Sequence, residues 1–127
     1  EGWFLGVQPR SFDIKNTFSR STDLSFKEAS YRLKIQKNLE EYSNIWNLID
    51  VIWHLKPLEF EYMNLWKSNQ EKEMLLKKGN ALKDKNLSNF LRMLNVSIPQ
   101  ESFDNINSDV LLLIDQNRDL IEVKSNS

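Results

Sequence analysis

The sequence predicts an all-α fold, a compact helical bundle of three to five helices with an extended N-terminal arm at 1–22 packing on a single helical domain at 23–127. Three observations predict it. Apolar side chains recur at helical spacing from Tyr31 to Trp53. The tetrapeptide Ser25-Phe26-Lys27-Glu28 has the form of a capping box, the serine accepting from the third backbone N–H and the glutamate reaching back. Prolines at 57 and 99 cut the remainder into helix-sized lengths.

The arm comes first. Trp3, Phe4, Leu5 and Val7 precede Pro9, and Phe12, Ile14 and Phe18 follow among polar residues with no sustained period. These aromatics are expected to pack on the body. Beyond the capping box, Tyr31, Ile35, Leu39, Tyr42, Trp46, Ile49 and Trp53 are spaced 4, 4, 3, 4, 3 and 4, a mean of 3.67 residues. That is the period of a straight helix rather than of a left-handed coiled coil, so one long helix is expected from Phe26 to Leu55. Ile45, Leu48 and Ile52 add a second apolar row, which places the second half of this helix at the centre of the core.

Pro57 ends that helix and suits the first position of the next. Glu59 and Glu61 in its first turn and Lys77 and Lys78 in its last complement the helix dipole, and Gly79-Asn80 forms a stop. A third helix is expected from Asp84 to Asn95, with Leu87, Phe90, Leu91 and Leu94 on one face, and a short helical turn within Ser97 to Ile106. Val110 to Ile114 is a continuous apolar run, followed by Asp115-Gln116-Asn117-Arg118-Asp119 and by Leu120, Ile121 and Val123. It reads either as a helix or as a hairpin. An isolated hairpin is marginal in water, and no other strong strand offers itself as a partner, so helix is preferred.

Composition narrows function. A net charge of −1 argues against a dedicated nucleic-acid binder. The absence of cysteine removes disulfides, thiolate metal sites and thiol nucleophiles. No apolar run approaches the ~20 residues that span a bilayer, and no signal peptide is visible. The expected compartment is intracellular, cytoplasmic or nuclear. A first residue of Glu rather than Met suggests a domain excised from something larger.

Chemistry-bearing patterns are scarce. His54 is the single histidine, with no Ser or Asp motif to orient it. Glu40-Glu41 and Glu59/Glu61 diverge on a helix and aim no two carboxylates at one point. Three glycines, Gly2, Gly6 and Gly79, cannot write a dinucleotide or phosphate loop. No catalytic, metal or cofactor-binding residue is therefore assigned, and no cofactor is expected. Two surfaces remain. Trp3, Phe4, Trp53, His54 and Lys56 are candidates for binding another protein, since aromatics are common at hot spots; the plainer reading of the tryptophans is core. Lys67, Lys72, Lys77, Lys78, Lys83 and Lys85 form a basic stretch, interrupted by Glu71, Glu73 and Asp84, that reads as a solvated helix face or as a patch for a membrane surface or acidic ligand.

The expected function is a non-catalytic protein-interaction domain, a helical subunit or regulatory module of a larger intracellular complex. The alternatives are a peripheral membrane or acidic-ligand binder using the lysines, and an enzyme of unrecognised type.

Overall fold

A computed structural model describes residues 1–10 and 23–126. Phe12, Ile14 and Phe18 of the expected arm lie outside the described residues. The described elements run α1 (Phe26–Trp46), β1 (Trp53–Pro57), α2 (Tyr62–Lys78), α3 (Asp84–Ser97), α4 (Gln100–Asp104), β2 (Val110–Ile114) and β3 (Leu120–Ser125). The chain divides into two compact units, one of Glu1–Ile52 with Met93–Asn107 and one of Trp53–Arg92 with Ser108–Ser127.

The all-α expectation is wrong: the second unit is built on a three-stranded mixed sheet in the order β1-β2-β3. Strand β1 runs parallel to β2, with Trp53 opposite Val110 and Pro57 opposite Ile114. Strands β2 and β3 form an antiparallel hairpin with a bulge at Leu113/Ile114. The long helix expected to reach Leu55 stops at Trp46. Asn47 and Asp50, poor helix formers, interrupt it, and Val51-Ile52-Trp53-His54-Leu55 is rich in the β-branched and aromatic residues that suit strands. Pro57 closes β1 at the sheet's edge, where its missing N–H costs no ladder bond. Once β1 exists, the hairpin has the third strand it needs, and the apolar run at 110–114 becomes the central strand rather than a helix.

In the first unit the capping box forms as its residues require. The Ser25 hydroxyl accepts from the Glu28 N–H at 3.2 Å, and the Glu28 carboxylate accepts from the Ser25 N–H at 2.9 Å. Helix α1 buries Ala29, Gln36 and Leu39. The core lies there rather than in the second half of the helix, whose Ile45 is exposed because α1 ends one residue later. Val7, Leu39 and Ile98 form its centre, flanked by Ile35, Phe103 and Ile106. The Trp46 indole N–H donates to the Val7 carbonyl at 2.9 Å, and the Phe4 ring meets Tyr42 and Trp46 edge-on at 5.6 and 6.3 Å. Arg32 donates to the carbonyls of Val96 and Asn95 at 2.7 and 3.3 Å, satisfying acceptors that the end of α3 leaves free.

In the second unit Gly79 stops α2 with φ +68 and its N–H on the Leu75 carbonyl. Glu71 ties α2 to the chain beyond that stop. Its carboxylate takes the Lys67 ammonium at 2.6 Å and the Leu82 N–H at 2.8 Å. These two donors, Lys67 first, hold the Glu71 carboxyl below its ordinary value against the opposing effect of burial.

Two glycines separate backbone strain from crowding. At Gly6, φ is +82 and an added Cβ would meet Ile106 and Ile52 at 3.3 Å; at Gly79, φ is +68 and nothing lies within 4 Å. Gly79→Ala is expected to cost about 1 kcal/mol from the backbone alone. Gly6→Ala is expected to cost about 1–3 kcal/mol, because crowding adds to strain. Urea denaturation of both variants checks the order.

Glu71 makes stability depend on acid. The unfolded carboxyl binds its proton at higher pH than the folded one. Its contribution is therefore complete above the ordinary carboxylate range and is lost as pH falls through the lowered folded value. Between about pH 5 and pH 2 the urea midpoint of the wild type should fall more steeply than that of Glu71→Gln.

Candidate functional site

In open sheets with parallel strands, ligands bind beyond the carboxyl ends of those strands. The carboxyl ends of β1 and β2 lie side by side, with the Leu58 N–H on the Ile114 carbonyl at 3.0 Å. From β1 the chain passes through Glu59-Phe60-Glu61 into the N-terminus of α2. From β2 it enters the turn Asp115-Gln116-Asn117-Arg118-Asp119.

That turn is tightly built. One oxygen of the Asp115 carboxylate accepts from the N–H groups of Asn117 and Asp119 at 2.8 and 2.9 Å. The Arg118 N–H donates to the Asp115 carbonyl and the Asp115 N–H to the Asp119 carbonyl, both at 3.0 Å. Arg118 is held at φ +69, a left-handed conformation that costs a non-glycine residue about 1–2 kcal/mol. Its guanidinium lies 5.4 Å from the centre of the Trp66 ring. Trp66 is fixed in turn, its indole N–H donating to the Gln116 carbonyl at 2.7 Å and Tyr62 lying 6.3 Å away at a tilt of 50°. A guanidinium oriented on an aromatic face keeps a planar fork of donors for an anion. Arg118, set on Trp66, thus presents an exposed, oriented cation at the carboxyl end of the parallel pair.

Sequence reasoning had none of these three as a site. Trp66 read as core, and Arg118 was a turn residue in an unresolved choice between helix and hairpin. The available signal was an apolar run followed at once by a turn of Asp, Asn and Arg, which on a parallel strand marks the ligand end.

The residues singled out from sequence fall elsewhere. Trp3 and Phe4 lie in the first unit, with Trp3 exposed. Trp53, His54 and Lys56 all stand on β1, but Trp53 points to one face and His54 and Lys56 to the other. Of the lysines, Lys67 is taken by Glu71 and by the Phe90 ring, 5.3 Å from its ammonium, and Lys77 pairs with Glu73 at 3.5 Å. Lys72, Lys78, Lys83 and Lys85 are exposed. Among the described residues no three His, Cys, Asp or Glu side chains gather as a metal site, and no helix is long and apolar enough to cross a membrane.

No protein-family model matches the chain, and no curated protein matches it. Solved structures do. D-glycerate 3-kinase from Cryptococcus neoformans var. grubii superposes with a TM-score of 0.80 at 22% identity, over 98% of this chain and 48% of that one. The YGR205w protein superposes with a TM-score of 0.63, also at 22% identity, over 98% of this chain and 46% of its own. This chain therefore spans about half the length of the structures it resembles. The likeness overturns the expectation of a non-catalytic, all-α interaction domain: the chain has the α/β fold of part of a kinase structure.

Proposed function

We propose that this chain forms part of a small-molecule kinase that transfers a phosphoryl group from a nucleoside triphosphate to a hydroxyl of a small hydroxy acid. The superposition on D-glycerate 3-kinase over nearly the whole chain carries the reading. Arg118, set on Trp66 beyond the parallel strands, supports it. Phosphoryl transfer needs positioning and charge stabilisation more than covalent chemistry from the protein. The acceptor oxygen bonds to phosphorus, the nucleoside diphosphate leaves, and the hydroxyl proton is released. Arg118 supplies an oriented cation for the carboxylate or phosphate of one substrate. The glycines at 2, 6 and 79 write no phosphate loop, so on this reading that loop comes from polypeptide beyond these residues.

The direct test measures ADP release by the natural polypeptide that carries these residues, with ATP, magnesium and D-glycerate. Acid-dependent turnover on the order of 1–100 per second is expected. If neither D-glycerate nor any related hydroxy acid raises ADP release, the kinase reading fails.

Arg118 separates function from folding. Arg118→Gly relieves left-handed strain of about 1–2 kcal/mol and loses an exposed cation–π contact of about 0.5–1 kcal/mol. Its melting temperature should match or slightly exceed that of the wild type. The KM of one substrate should nonetheless rise by about tenfold or more, the loss of a charge-assisted hydrogen bond, and Arg118→Lys should recover part of it.

A further inference from the structure

The corner where α2 ends and α3 begins carries leucine and lysine together at the surface. Leu76, in the last turn of α2, is 87% exposed, and Leu75 and Leu82, on either side of the Gly79 stop, are 38% and 37% exposed. Single exposed apolar residues are ordinary on any surface, but three at one corner mark a place that something touches. The corner is also held in shape. The Leu82 N–H is bound by the Glu71 carboxylate, which Lys67 fixes from the same helix. Gly79 and Asp84, at the two ends of the connection, have φ of +68 and +52. Charge surrounds the leucines. Lys67 is taken by Glu71 and Lys77 by Glu73. Lys72, Lys78, Lys83 and Lys85 remain exposed, with Asp84 the one acidic residue between positions 74 and 86. Lys72 stands four residues before Leu76 and Lys78 three after Leu75, so each leucine of α2 has a lysine beside it on the helix surface. The helix dipole accounts for Lys77 and Lys78. It accounts neither for Lys72, Lys83 and Lys85 nor for the leucines.

We propose that this corner docks on an anionic lipid surface, with Leu76 and its neighbouring leucines entering the acyl boundary while the lysines stay among the headgroups. Charge complementarity chooses the occupant. A covering polypeptide would have to take Lys72 and Lys78 out of water in order to bury Leu75 and Leu76. A membrane interface does not, because a lysine stem lies along apolar surface while its ammonium stays with the phosphates. An acidic protein tail would meet the lysines but gives no reason for the exposure of Leu76. The contact lies on the surface and does not span, since no described helix is long and apolar enough to cross a membrane. Each lysine near such a surface contributes about fivefold to affinity, and salt screens that contribution. None of these residues is among those that set Arg118, so the docking stands whether or not the chain serves a kinase.

The test uses the natural polypeptide that carries these residues, with vesicles of phosphatidylcholine alone or mixed with an equal part of phosphatidylserine. Sedimentation with the mixed vesicles at about 0.1 M salt is expected, with none on phosphatidylcholine alone and a loss of about tenfold or more at about 1 M salt. Leu76→Ser is expected to weaken binding about tenfold. Lys72→Glu with Lys78→Glu is expected to weaken it about 25-fold or more. Both variants should keep the wild-type melting temperature, because all three side chains are exposed. No sedimentation with the mixed vesicles, or binding that either variant leaves unchanged, overturns the proposal. Binding of poly-L-glutamate without binding of vesicles assigns the lysines to an acidic protein and also overturns it. A membrane is told from covering polypeptide by replacing Leu76 with dansylalanine. Its emission is expected to move to shorter wavelength only when the mixed vesicles are added. Emission already shifted before they are added means that polypeptide covers the corner, and the docking fails.

Discussion

The parallel pairing of Trp53–Pro57 with Val110–Ile114 is the constraint on which the second unit depends. Without it, β2 and β3 are a lone hairpin, marginal in water. A parallel pair cannot be joined by a tight turn and needs a long crossover. The chain supplies one in α2 and α3, which lie between the two strands in sequence. The pairing also sets the two carboxyl ends side by side. That delivers the start of α2, with Tyr62 and Trp66, and the turn bearing Arg118 to the same end of the sheet. The candidate site is thus a consequence of topology: two segments distant in sequence meet only because their strands pair.

Local signals in the sequence were read correctly where the physics is local. The capping box needs only four consecutive residues, and it forms. Gly79 is a stop because a left-handed residue there leaves the Leu75 carbonyl a partner. The helix at Asp84–Ser97 follows from its own apolar face. The strands failed for a different reason. Trp46, Ile49 and Trp53 happen to continue the helical period of α1, and over a short apolar run that period does not distinguish helix from strand. Val51, Trp53 and Leu55, of which only Trp53 belongs to that period, lie at the two-residue spacing of a strand. Choosing helix for them removed the only partner available to 110–114, so the first misreading produced the second. The α/β fold was hidden because strand pairing is information shared between distant segments.

The site was illegible for a related reason. Nothing in the neighbourhood of Arg118 in sequence announces Trp66, and nothing near Trp66 announces a cation. The lysines from 67 to 85 are numerous, yet Lys67 neutralises Glu71 and packs on Phe90, so this charge partly serves to hold α2 in place. A single arginine in a strained turn carries more information than six lysines, five of them on helices and Lys83 between two. Strain held by a surrounding network of hydrogen bonds persists only when something over-determines it. The Asp115 carboxylate and the Trp66 face do so here.

The same economy applies to β1. His54 and Lys56, half-buried on one face of β1, both have interaction partners that offset the water they lose, whereas Trp53 and Leu55 on the other face are exposed. The strand's sequence, apolar from Val51 to Leu55 except at His54, has the near-continuous character that parallel strands ordinarily show.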